Sequence, residues 1–113
     1  MALIKQDEKP EITANLRGGI GEARIFASPI PPSCGPLTFA SRIELAPGAS
    51  IGLHRHDDDE EVYAVISGEG VYIYDGDECP ARAGDIFTTK KGMSHALKNC
   101  GGVPLIFFAV VAK

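Results

Sequence analysis

Thirteen glycines and eight prolines cut the 113 residues into short segments, and this punctuation limits the fold more than any other feature of the chain. Both residue types disfavour helix interiors, and together they mark turns. Between them lie runs rich in Val, Ile, Phe, Tyr and Thr, the residues that suit a pleated sheet. LTFASRIEL (37–45) runs into Pro47-Gly48, and EVYAVISG (61–68) runs into Gly68-Glu69-Gly70. VYIYDGDE (71–78) contains Asp75-Gly76, a strong hairpin signal. ARAGDIFTT (81–89), HALKN (95–99) and LIFFAVVA (105–112) follow, separated by Lys91-Gly92 and Gly101-Gly102. No window keeps a helical period over three turns, and no internal repeat is evident. Strands spaced by roughly 8–12 residues predict an all-β chain, a sandwich or a barrel.

The length suits one domain with a real core, and 44% hydrophobic and 23% charged residues is ordinary globular usage. The formal net charge is -4, and the eleven Lys and Arg residues are scattered, so neither nucleic acid nor an anionic membrane is an expected partner. MALIKQDEKP lacks a signal-peptide h-region, and VPLIFFAVVA (103–112) is far short of a membrane helix, so a soluble, cytoplasmic protein is expected. Cys34, Cys79 and Cys100 form no C-x-x-C pair and are expected to be reduced, with Cys79 in a turn. Residues 22–27 are a strand candidate. Pro29, Pro31, Pro32 and Pro36 make the next segment a loop, either across a barrel mouth or against a second subunit.

GLHRHDDDEE (52–61) places two of the three histidines one residue apart, ahead of five consecutive acids. On a strand His54 and His56 share a face, with Cβ atoms about 7 Å apart, near enough for both imidazoles to lean onto one ion. An H-x-H pair alone is weak, because a metal site needs further ligands. An acid run alone reads as a solvated loop.

The pattern becomes specific when both histidine segments are aligned with their glycines. Residues 48–68 read G-x(5)-H-x-H-x(4)-E-x(6)-G, with Gly48, His54, His56, Glu61 and Gly68. Residues 84–99 read G-x(7)-G-x(2)-H-x(3)-N, with Gly84, Gly92, His95 and Asn99. These blocks resemble the two motifs of the cupin family, and all three histidines fall on motif positions. One departure is Lys90, where the second motif usually has proline. The resemblance implies a double-stranded β-helix (jelly-roll) barrel. It further implies one divalent transition metal (Zn, Mn, Fe, Ni, Co or Cu) held by His54, His56, Glu61 and His95. Glu61 rather than Glu60 matches the spacing to Gly68, and Glu61, Tyr63 and Val65 share one strand face. His95 arrives from a distant strand across the barrel. Glu60 and the three aspartates are expected in a solvated loop at the open end.

The expected organisation is a single cupin domain over 1–113, with an N-terminal arm at 1–20 and the barrel core at 36–112. Strand parity names Tyr63, Val65 and Leu97 as candidate pocket wall, with Phe107 or Phe108 and Tyr72 or Tyr74 as further inward candidates. Arg42, on the strand before the first motif, is a candidate for a substrate carboxylate. The resemblance implies a small metalloenzyme of the dioxygenase, decarboxylase or isomerase type, acting on a small polar or carboxylate-bearing metabolite. The alternative is a metal-dependent module that binds or senses a small ligand. A homodimer is the expected assembly.

Overall fold

The computed structural model describes residues 9–28 and 35–113 and is built from ten strands in two antiparallel sheets. In chain order the strands are β1 (Glu11–Ala14), β2 (Glu22–Ser28), β3 (Leu37–Leu45), β4 (Ser50–Arg55) and β5 (Glu60–Ser67). They continue with β6 (Glu69–Tyr74), β7 (Asp77–Arg82), β8 (Ile86–Thr89), β9 (Ser94–Lys98) and β10 (Leu105–Ala112). One sheet has the order β1-β2-β3-β10-β5-β8, the other β4-β9-β6-β7. The all-β jelly-roll expectation is met: β3-β10, β10-β5, β5-β8, β4-β9 and β9-β6 pair strands distant in sequence, as when a chain winds on itself into a barrel. Part of the stretch expected as an arm, Glu11–Ala14, pairs with β2 at the sheet edge. The loop expected over Pro29, Pro31 and Pro32, with Cys34, lies outside the described residues.

The core follows from alternation along the strands. On β10, Leu105, Phe107 and Ala109 are fully buried, whereas Phe108 is exposed. Phe107 stands opposite Ile43 of β3 and Val65 of β5, so one aromatic ring joins three strands. From the other sheet, Ile51, Tyr72 and Leu97 point into the same interior. Asp75 (φ 44°) and Gly76 (φ 87°) both adopt left-handed conformations between β6 and β7, as a two-residue hairpin turn requires.

Asn99 closes the end of the barrel away from the histidines. It is buried, and its Nδ2 donates to the carbonyls of Leu45 (3.0 Å), Ala46 (3.2 Å) and Val103 (2.8 Å). Its Oδ1 accepts from the Gly101 N–H at 2.9 Å. This motif residue thus ties three chain segments together by satisfying buried backbone groups.

Cys79 does not sit in a turn. It is an exposed residue within β7, because the tight Asp75-Gly76 turn is short enough to leave it in the ladder opposite Tyr72.

Candidate metal centre

The geometry of β4 decides which way the histidines face. Its pairing with β9 shifts register between Ile51 and His54: Ile51 lies opposite Leu97, and His54 lies opposite His95. Gly52 and Leu53 therefore oppose the single residue Ala96, which is a β-bulge. Without it, strict alternation from the inward Ile51 would send Leu53 inward and His54 outward. With it, Leu53 is 64% exposed and His54 turns inward. The glycine inside a strand pattern is the sequence signal for this bulge.

A second peculiarity packs on the same place. Between β1 and β2 the chain makes a tight turn at Leu16–Gly18, in which Arg17 adopts a left-handed conformation (φ 54°, ψ 34°). The turn lies flat against β4, with the Arg17 carbonyl over Gly52 and the Ser50 carbonyl over Gly19. A Cβ at either glycine would collide with the facing backbone, so both positions are committed to the close approach.

His54, His56, Glu61 and His95 converge at the open end, with one ligand atom from each lying within 4.8 Å of all the others. His95 Nε2 lies 3.0 Å from the Nε2 atoms of both His54 and His56. Glu61 Oε1 lies 3.0 Å from the Nε2 atoms of both His56 and His95. Glu61, His56 and His95 are buried, and His54 is half-buried.

The partners of the outer nitrogens explain the orientation. His54 Nδ1 donates to the Gly52 carbonyl at 2.7 Å, and His56 Nδ1 donates to Asp59 Oδ1 at 2.6 Å. His95 Nδ1 lies 2.7 Å from Thr89 Oγ1 and 3.0 Å from the Tyr72 hydroxyl, and those two hydroxyls also bond each other. Tyr63 stacks on the His95 ring with centroids 4.8 Å apart. With their protons given outward at Nδ1, neutral His54 and His56 point bare Nε2 lone pairs at His95 and Glu61. Electron-rich atoms at this spacing need a shared proton or a cation between them. Adjacent ligands of a six-coordinate ion with bonds of about 2.1 Å stand about 3.0 Å apart, against about 3.4 Å for a tetrahedral one. The donor set and its spacing therefore fit a divalent metal. Burial, chiefly, lowers the pKa of His54; the Gly52 bond opposes the shift, and electrostatic coupling to His95, Arg17 and His56 adds to it. The neutral, ligating form is the one favoured.

A cavity of about 330 Å³ opens beside the cluster. Its polar wall is Arg17, His54, His56, Asp59, Glu61 and Tyr63, and the rest is apolar, including Leu16, Ile25 and Ile51. Burial pushes the Tyr63 hydroxyl well above the usual tyrosine range, and the negative Glu61 beside it adds to the shift. Of the side chains that strand parity nominated, Tyr63 lines the cavity, while Val65 and Leu97 pack deeper in the core. Phe107 and Tyr72 point inward, whereas Phe108 and Tyr74 are partly exposed.

Arg42 does not reach the cavity. Its neighbours Ser41 and Ile43 are buried, which leaves Arg42 on the outer face. There it covers the Phe26 ring at 4.1 Å and pairs with Glu44 at 3.5 Å. The cationic wall residue is Arg17, which sequence reasoning missed because its placement depends on the turn packing against β4. Asp59 also departs from the solvated acid run: it bonds His56 and lines the cavity, while Asp57 pairs with Arg55 at 2.7 Å. Lys90 is exposed and does not line the cavity. Its turn is closed by backbone bonds from Met93 N–H to the Lys90 carbonyl (3.1 Å) and from Gly92 N–H to the His56 carbonyl (2.7 Å). The loop thus holds its shape without the usual proline.

A two-sheet antiparallel barrel with a three-histidine, one-carboxylate cluster at its open end defines a class of β-barrels with a candidate metal site. The family model for the cupin domain matches residues 41–111. The oxalate-binding protein of Thermotoga maritima is 38% identical over 114 residues, covering 98% of this chain and 93% of the relative. A crystal structure from Thermotoga maritima, described as a predicted oxalate decarboxylase, superposes with a TM-score of 0.92 at 35% identity, covering 97% of each chain. A cupin 2 conserved barrel domain protein from Salinispora arenicola gives a TM-score of 0.76 at 25% identity, covering 100% of this chain and 89% of that one. The chain belongs to the cupin family.

Proposed function

We propose that this protein holds one divalent transition metal through His54, His56, Glu61 and His95 and uses it to bind a small dicarboxylate of the oxalate type. The observation that carries the reading is the convergence of four ligand atoms at 3.0 Å contacts beside a cavity of about 330 Å³. A six-coordinate ion with four protein ligands keeps two positions for a chelating ligand, and the metal supplies Lewis acidity to oxygens bound there. The similarity to an oxalate-binding protein supports the choice of ligand.

Binding without turnover is the reading the described residues favour. Turnover of a carboxylate calls for a proton donor or acceptor beyond the ligands. Asp59 is engaged with His56, and the raised pKa of Tyr63 makes its hydroxyl a weak proton donor. The second reading is an enzyme of the decarboxylase, dioxygenase or isomerase type, supported by the likeness to the structure described as a predicted oxalate decarboxylase. A cytoplasmic location and a homodimer belong to the same proposal. The free thiols of Cys79 and Cys100 support the first, and the exposed Phe108 on the outer sheet face supports the second.

The test is elemental analysis of protein purified without added metal, followed by calorimetric titration with oxalate. One equivalent of metal in the wild type, lost in His54→Ala, together with oxalate binding only to loaded protein, is the expected result. Undiminished metal in His54→Ala overturns the ligand assignment. Oxalate uptake and product formation, assayed with and without O₂, separate binding from turnover.

A further inference from the structure

The cavity wall poses a problem of charge. Glu61 and Asp59 together neutralise a divalent ion in the cluster, so the bound metal alone gives the site no net pull on a dianion. Among the described residues that line the cavity, Arg17 is the sole Lys or Arg. Among the described residues it also forms no ion pair, unlike Arg42 and Arg55. The position is built rather than incidental. Arg17 takes a left-handed conformation that non-glycine residues seldom adopt, and its carbonyl is pressed onto Gly52, the residue whose own carbonyl orients His54. Arg17 is exposed at the rim of a wall that is otherwise largely apolar, with Leu16, Ile25, Phe39 and Ile51.

Resting on the carboxylate-binding reading above, we infer that Arg17 is the specificity-determining residue of the cavity: its guanidinium pairs with the outward oxygens of a chelating dicarboxylate. A guanidinium presents paired donors that match a carboxylate. Arg17 thereby selects ligands that carry a second carboxylate over chelators of similar size that lack one. The tight turn at Leu16–Gly18 is then a specificity element attached to the ligand-bearing strand.

Calorimetric titration of protein loaded with the metal it copurifies with tests the assignment, using wild type, Arg17→Gln and Arg17→Lys. The two probes are oxalate and glycolate, which chelates through a hydroxyl in place of the second carboxylate. Arg17→Gln is expected to keep its metal content and melting temperature and to lose at least tenfold in oxalate affinity, with less than threefold loss for glycolate. Arg17→Lys is expected to recover part of the oxalate affinity. Unchanged oxalate affinity in Arg17→Gln overturns the role of Arg17 and leaves the proposed function standing. Equal losses for both probes, or loss of metal, make Arg17 a structural residue and likewise overturn the inference. Failure of loaded wild type to bind oxalate overturns the proposed function itself, and this inference with it.

Discussion

His56 and Asp59 are joined by a 2.6 Å hydrogen bond from Nδ1 to Oδ1, three residues apart across the turn that leads from β4 to β5. The bond fixes the ring orientation and keeps the proton on the nitrogen that faces away from the cluster. Outer partners of this kind typically contribute about 10- to 100-fold in metal affinity. Asp59→Ala is therefore expected to weaken metal binding by about that factor without abolishing it. Competition with a chelator measures the change, and an unaltered affinity rejects the role.

The lowered pKa of His54 sets a sign for pH dependence. In the unfolded chain this histidine protonates near its ordinary value of about 6.5, whereas the folded, desolvated ring resists protonation. Between those two values the unfolded state binds more protons, so stability falls as pH falls through the window. The melting temperature of chelator-treated protein is expected to drop as pH is lowered below about 6.5, with a smaller drop in His54→Ala. An equal drop in both removes His54 as the cause.

Gly52 is where the turn at Leu16–Gly18 rests on β4. A methyl group there meets the Arg17 carbonyl, and neither backbone can yield alone. Gly52→Ala is expected to destabilise the fold by about 1–3 kcal/mol, the usual range for overpacking. Chemical denaturation measures it, and a neutral substitution shows that the turn is free to lift.

Asn99 stands in the second motif but not in the metal cluster. Asn99→Ala leaves the Leu45, Ala46 and Val103 carbonyls without their donor. The expected loss is about 2–4 kcal/mol of stability, summed over the unpaired buried groups. The metal affinity of the protein that remains folded is expected to match wild type, because the substitution lies at the opposite end of the barrel. A changed affinity contradicts a purely structural role.

The proposed homodimer predicts a mass by light scattering near twice the 12.0 kDa of the chain. Phe108, 46% exposed on β10, is the substitution site of choice. Phe108→Ser is expected to shift the protein toward monomer at micromolar concentration if that face is the interface, and a wild-type monomer rejects the dimer outright.

The amino-acid sequence by itself determined the architecture, because turn residues and strand alternation are local properties that each segment carries wherever it lies. Asp75-Gly76 marks its hairpin, and Leu105, Phe107 and Ala109 face inward by parity alone. The four side chains that converge are those implied by the resemblance of the two glycine and histidine segments to the cupin motifs. Parity fails where the chain departs from regular pairing. The bulge at Gly52 turns His54 inward, and the left-handed turn at Arg17 brings to the cavity the cation that Arg42, on the outer face of β3, does not supply. Only the tertiary structure decided these, because each arises where backbone segments distant in sequence meet, β4 with β9 at the bulge and the Arg17 turn with Gly52. Such close approach is set by the packing of the whole barrel rather than by either segment alone.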